Sequence, residues 1–233
     1  MPAHSEKTLA EIVTENHRTV QIFEKYGLDF CCRGKKKLQE ACAEKGLDFG
    51  IVSNEIAAAC ALGPDSEIPF YEMSIQQLIS HIVGRHHYYV KMSMPLITTH
   101  LDKVSGKHGD TYPYMRDVRD FFQEVQEEMI PHMHKEENVL FPRILSWNQN
   151  ANVGPVPDSV SAPIIVMEKD HEHVSELMHK IRELTNQYTP PANACTTFRV
   201  SLQELKDFEE DLHQHVHLEN NILFPRVNAN RLN

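Results

Sequence analysis

The sequence predicts an all-α protein: an up-down-up-down four-helix bundle preceded by a small amino-terminal helical unit. Three observations lead there. A twelve-residue string is used twice, HMHKEENVLFPR at 132–143 and HVHLENNILFPR at 215–226. Each copy sits on an apolar stripe of alternating three- and four-residue spacing, the seam of a helix packed among other helices. The long periodic segments are joined by loops of about 6–15 residues, the lengths that connect antiparallel neighbours in a bundle.

Taken in order, Thr8 with Glu11 forms a capping box ahead of Leu9, Ile12, Val13, Val20 and Phe23, predicting a helix that ends near Tyr26-Gly27. The string GLDFCCRGKKKLQEAC (27–42) follows, with a helix expected from Lys35, and IVSNEIAAACAL (51–62) reads as another short helix. Residues 1–62 therefore form the small unit and 63–73 the linker, marked by GPDSEIP at 63–69. The larger domain is expected over 74–233.

Its first helix opens on a second capping box, Ser74 with Gln77, and runs to about Lys103 through Pro95, where a kink is expected. Two stripes compete on it: Val83, His87, Val90, Met94, Ile97, Leu101, and Ile75, Ile79, Ile82, His86. Periodicity does not choose between them. The second helix, about 114–146, carries Val118, Phe122, Val125, Met129, His132, Glu136 and Val139, with a kink expected at Pro131. After a loop at 148–160, Ser161 is the expected cap of the third helix, whose stripe is Ile164, Met167, His171, Val174, Met178, Ile181, Thr185. The fourth follows TPPAN (189–193) with Phe198, Leu205, Phe208, Leu212, His215, Glu219 and Ile222. In each repeated string the proline of Leu-Phe-Pro-Arg is expected to help end the helix.

Bulk properties narrow the class. With 233 residues, 41% hydrophobic and 24% charged, the chain suits one medium domain plus an appendage. A net charge of −10 argues against nucleic acid or an anionic membrane as principal partner. No apolar run approaches the roughly 18 residues of a transmembrane helix, and MPAHSEKTL does not begin a signal peptide. Five cysteines, two of them adjacent, make no disulfide framework, so a reducing cytoplasm is the expected compartment.

The repeated string carries the chemistry. His132 precedes Glu136 by four residues and His215 precedes Glu219 by four, so each copy aims an imidazole and a carboxylate from one helix face. One such pair is most simply a solvated ion pair. Two of them, on stripes that face a core, place carboxylates where burial is costly unless they are hydrogen-bonded or hold metal. Two nitrogens and up to four oxygens suit a pair of iron or manganese ions. His171 lies on the third seam, while His134, His213 and His217 fall off theirs and are read as solvated.

At this point the chain resembles the hemerythrin-like family in its bundle. As a whole it is similar to the repair-of-iron-centres di-iron proteins, bacterial cytoplasmic factors tied to nitrosative and oxidative damage of iron–sulfur clusters. The resemblance rests on GLDFCCRGKKKLQEAC (27–42), HIVGRHH (81–87), HMHKEENVLFPR (132–143), MEKDHEH (167–173), PPANACTT (190–197) and HVHLENNILFPR (215–226). It implies iron ligands His87, His132, Glu136, His171, His215 and Glu219, with both glutamates bridging, and it favours His87 over His86 because the ligand follows Arg85 by two residues. Pro131 and the additional histidines His81, His86, His134, His173 and His217 depart from the pattern. His173 and His217 leave room for a swapped or added ligand.

Four neutral imidazoles and two carboxylates set −2 against two ions of +2 or +3. The excess invites an oxo or hydroxo bridge in the implied di-iron centre and leaves positions open for nitric oxide or oxygen. Few ligands per ion also suit an iron donor. Cys31 and Cys32 add a second chemistry. Beside the helix expected from Lys35 and amid Arg33, Lys35, Lys36 and Lys37, they would be stabilised as thiolate. The alternative is a buried pair of small apolar residues, and the resemblance favours the functional reading. Cys42, Cys60 and Cys195 are read as structural.

The leading expectation is repair of damaged iron–sulfur proteins, by iron delivery, by nitric oxide reduction at the di-iron centre, or both; homodimerisation is compatible with it. A hemerythrin-like carrier or sensor of oxygen or nitric oxide is the first rival, and the Cys-Cys unit speaks against it. A di-iron oxidase is the second.

Overall fold

In the computed structural model, residues 4–61, 70–149 and 156–229 are described. The expected linker string at 63–69 and the middle of the loop expected at 148–160 lie outside them. The described residues are helical apart from turns and one antiparallel bridge, Thr8 to Lys37. The chain divides into two compact units, Met1–Ile79 with His213–Asn233, and Ser80–Leu212.

The first unit opens with α1 (Leu9–Glu15), where Thr8 and Glu11 cap each other as expected, Glu11 N–H donating to Thr8 Oγ1 at 3.2 Å and Thr8 N–H to Glu11 Oε2 at 2.8 Å. The single helix expected as far as Tyr26 is broken at Asn16, which adopts extended backbone (φ −150°, ψ 104°). Its side chain accepts from Arg18 N–H and starts a 3₁₀ turn (His17–Thr19) that leads into α2 (Val20–Tyr26). Asparagine competes with the helical ladder in this way wherever its amide can cap the next turn. Gly27, at φ 60°, ends α2 in the left-handed region, with Leu28 N–H donating to Phe23 carbonyl at 2.8 Å.

Two short helices follow, α3 (Leu38–Glu44) and α4 (Phe49–Ala61). The α3 start at Leu38, three residues past the expected Lys35, follows from the bridge: Leu38 N–H donates to Lys7 carbonyl and Leu9 N–H to Lys36 carbonyl, holding Lys37 extended. The core of the unit is Leu9, Ile12, Phe23, Phe30, Leu38 and Ile56, together with Leu223 and Phe224 of the carboxy-terminal helix. Burying each such side chain contributes about 1.5–3 kcal/mol.

The helix opened by the Ser74–Gln77 capping box begins as α5 (Ile75–His81). It continues through a wide π-turn, π1 (Ile82–His87), into α6 (Tyr88–His108). Next come α7 (Tyr114–Lys135), π2 (Glu136–Leu140) and α8 (Phe141–Gln149), then α9 (Asp158–Leu184). The last helix is α10 (Thr196–His217), π3 (Leu218–Leu223) and α11 (Phe224–Ala229). The fold is all-α, with a helical bundle as its larger part. Within Ser80–Leu212 the ring of neighbours closes. α7 packs on α6 and α9, Arg182 of α9 bonds Glu209 of α10, and His100 of α6 bonds Glu204 of α10.

The π-turns resolve and correct the expected stripes. The first helix buries residues of both candidate stripes: Ile75 and Ile79 before π1, Ile82, His86 and His87 within it, and Val90, Met94, Ile97 and Leu101 after it, while Val83 is only half-buried. One extra residue in a turn rotates the helix face by about 100°, so the seam passes from one stripe to the other. Val139 is 38% exposed and Leu140 takes its place in the core, because π2 shifts the phase there. Helix α9 starts at Asp158, ahead of the expected cap Ser161, with Asp158 in the first turn where a carboxylate favours the helix dipole. The helices also run on past Pro142 and Pro225 instead of ending at them. Each proline is separated by one residue from the end of a π-turn, whose displaced ladder lessens the cost of a missing N–H. α6 and α7 are continuous through Pro95 and Pro131.

Candidate metal centre and thiol pair

Four histidine and glutamate side chains meet inside the Ser80–Leu212 unit: His87 from π1, His132 from α7, Glu136 from π2 and His171 from α9. All are at most 1% exposed. His132 Nε2 and His171 Nε2 are 2.9 Å apart. His132 Nε2 lies 3.3 Å and His87 Nε2 3.4 Å from the same oxygen, Glu136 Oε2. Ligands about 2.1 Å from one cation at right angles stand about 3.0 Å apart, so these spacings are those of donors sharing ions.

The far ring nitrogens are held as well. His87 Nδ1 is 2.7 Å from Glu137 Oε1, which also accepts from Lys91 Nζ at 2.6 Å. Burial pushes the Glu137 carboxyl up, but the bonds from Lys91 and His87 outweigh it and leave the group below its ordinary value. His132 Nδ1 is 3.3 Å from Asp170 Oδ2, a bond that lowers the Asp170 carboxyl against the opposing effect of burial. A carboxylate on Nδ1 fixes the tautomer that leaves the Nε2 lone pair for a metal. Glu137 and Asp170 escaped sequence reasoning, since each adjoins a ligand in the chain and looks like a surface charge.

His86 is buried but engaged elsewhere, its Nδ1 3.0 Å from Asp211 Oδ1 and its ring edge-on to His81. His173 is half-exposed and paired with Glu124, and His134 is exposed as expected.

The second copy of the repeated string lies in the other unit. His215 and Glu219 are fully buried, His215 Nε2 standing 3.2 Å from Glu219 Oε1, which reproduces the His132–Glu136 spacing on a helix with the same π-turn. Expectation fails for His217, which is 2% exposed. Phe30 packs edge-on to its ring at 5.6 Å, and Asn221 Nδ2 is 3.3 Å from its Nδ1. Burial, then the charge of His17, pushes it down to about 3, so it is a neutral imidazole. His213 is likewise covered, bonded to Glu24 at 2.7 Å. The amino-terminal segment buries this face of the helix, which periodicity on the helix alone could not show.

Cys31 is buried and Cys32 half-buried, and neither is in a disulfide. Asp29 Oδ1 accepts from both backbone N–H groups, at 3.1 and 2.9 Å, folding the DFCC string into an Asx-type turn. Cys31 Sγ is 3.2 Å from that oxygen and 3.8 Å from Cys32 Sγ. The expected thiolate stabilisation is not found at Cys31. No helix starts beside it, and the Cys32 thiol, burial and Asp29 push its pKa well above the ordinary value.

Comparison with known proteins agrees with this arrangement. The hemerythrin HHE cation binding domain matches residues 78–227. A domain of unknown function, DUF542 or ScdA_N, matches residues 5–60. Curated relatives named iron-sulfur cluster repair protein YtfE, from Enterobacter sp. (strain 638) and Escherichia coli O81 (strain ED1a), are each 32% identical over 227 residues, covering 97% of this chain and 99% of theirs. The relative of that name from Dickeya chrysanthemi is 32% identical over 224 residues, 96% of this chain and 97% of its own. Buried histidines converging on a glutamate within a helical bundle, behind a Cys-Cys unit, thus accompany likeness along nearly the whole length, and the chain belongs to the hemerythrin-type family of iron–sulfur cluster repair proteins.

Proposed function

We propose that this protein restores damaged iron–sulfur clusters, using two iron ions held by His87, His132, Glu136, His171, His215 and Glu219, and the thiols of Cys31 and Cys32. The observation that carries it is the convergence of His87, His132 and Glu136 beside His171 in a fully buried site, with carboxylates on the far nitrogens of two of the imidazoles. The matching burial and spacing of His215 and Glu219 supports the second half of the ligand set. Buried carboxylates need compensating positive charge, and a pair of cations supplies it. The irons would supply redox equivalents and coordination positions for small ligands such as nitric oxide or oxygen.

The protein's own part is to exclude water, fix the imidazole tautomers through Glu137 and Asp170, and present the Cys31–Cys32 thiols to a client protein carrying a damaged cluster. Five cysteines outside any disulfide suit a cytoplasmic setting, and no helix among the described residues is long and apolar enough to cross a membrane.

The test is anaerobic purification with metal analysis, joined to recovery of a nitric oxide-inactivated iron–sulfur enzyme. About two irons per chain and recovery that depends on Cys31 and Cys32 are expected. A single zinc, or reversible gas binding without recovery, would overturn the reading, the latter in favour of a carrier.

A further inference from the structure

We propose that Asp29, Cys31 and Cys32 form a separate chelate for one thiophilic divalent cation, such as ferrous iron or zinc. The inference extends the thiol role above and assigns those groups a ligand of their own. One oxygen or sulfur from each residue lies within 4.8 Å of the others. The decisive quantity is the sulfur spacing. Two thiolates bound at about 2.3 Å to one tetrahedral ion stand about 3.8 Å apart. Cys31 Sγ and Cys32 Sγ are 3.8 Å apart. A carboxylate oxygen on the same ion would lie about 3.5 Å from either sulfur, and Asp29 Oδ1 is 3.2 Å from Cys31 Sγ, a difference that a small rotation of the Asp29 side chain absorbs.

The turn is built to hold this geometry. The two N–H bonds onto Asp29 Oδ1 fix the carboxylate over the adjacent thiols. Asn221 Nδ2 donates to the carbonyls of Phe30 and Cys31 at 3.2 and 2.9 Å and fixes the backbone from the other side. Gly34 lets the chain turn back tightly, since a Cβ there would stand 2.4 Å from the Phe30 carbonyl oxygen. Three protein donors and a half-exposed Cys32 leave the fourth position toward solvent, open to water or to a thiolate of another protein. Binding replaces the two thiol protons: a dication enters, two sulfur–metal bonds form and two protons leave to solvent, so affinity rises with pH.

Cobalt(II) added to the reduced, iron-loaded full chain under anaerobic conditions tests the site, read as the difference spectrum against Cys31→Ser/Cys32→Ser. One added cobalt per chain with a thiolate-to-metal charge-transfer band is expected. Asp29→Asn keeps an oxygen to accept the two N–H bonds, so the turn should persist with at least tenfold weaker cobalt binding. Zinc should also protect both cysteines from alkylation, mapped by mass spectrometry. A band that survives in the double serine variant, or no band in the parent, overturns the chelate. A chain that repairs clusters without the band leaves the repair role standing, and a chain that shows the band yet repairs nothing overturns that role alone.

Discussion

Asn221 hydrogen-bonds the carbonyl oxygen of Cys31 at 2.9 Å, and it lies only two residues beyond Glu219 on the same helical turn. Residues two apart on a helix face nearly opposite ways. One side of π3 therefore carries a buried carboxylate while the other anchors the thiol turn. Asn221→Ala removes two hydrogen bonds worth about 1 kcal/mol each and leaves two carbonyls poorly served. We expect stability to fall by about 2 kcal/mol, with faster amide exchange at residues 30–34 and iron retained. Unchanged exchange there would show that the bridge at Thr8–Lys37 holds the turn by itself.

Glu136→Ala should cost the protein most of its iron, whereas His134→Ala should leave metal content at the parent level. Glu136 is fully buried with two imidazoles on one oxygen, and His134 is exposed. Loss of bound metal should also lower the melting temperature of Glu136→Ala, because metal binding contributes to folding free energy. Equal iron loss in the two variants would contradict the ligand assignment.

The neighbours His86 and His87 are both buried, so burial does not distinguish them, but their bonds do. His87→Ala is expected to lower iron occupancy. His86→Ala is expected to leave iron in place and lower stability by about 1–3 kcal/mol, because it strands Asp211. Metal analysis beside denaturant unfolding separates the two effects, and iron loss in His86→Ala would reverse the assignment.

Glu137→Gln tests the support of His87. The amide keeps the shape but weakens the hold on Nδ1–H, and changes to such partners cost about 10- to 100-fold in metal affinity. Competition with a chelator should show iron leaving more readily, while Lys135→Ala, which changes an exposed residue nearby, should behave as the parent does.

Glu209 probes the bundle away from the metal. It is 3% exposed, accepts from Arg182 Nε at 2.7 Å and from Tyr188 O–H at 2.9 Å. Burial and the Glu209 charge push the Tyr188 hydroxyl well above its ordinary range. Glu209→Ala leaves a mostly buried guanidinium without its carboxylate, and we expect a loss of about 3–5 kcal/mol. Glu204→Ala, at a pair 27% exposed on each side, should cost under about 1 kcal/mol.

The sequence by itself determined the helical class, the bundle seams and the repeated His-x-x-x-Glu string, because helical periodicity and a doubled motif are local signals. Thr8–Glu11, Ser74–Gln77 and the buried positions of His171, His215 and Glu219 were legible for that reason. Tertiary structure decided what depends on the turn count and on distant segments. Three π-turns each add a residue to the repeat, so they bury both His86 and His87 and exchange Val139 for Leu140. Phe30 covers His217 from 187 residues away in the chain. The Cys32 thiol, burial and Asp29 push the Cys31 thiol above its ordinary value, though the nearby cations in the sequence suggested thiolate. Charge listed along a chain says nothing of desolvation, and it is the fold that sets how much water a group keeps.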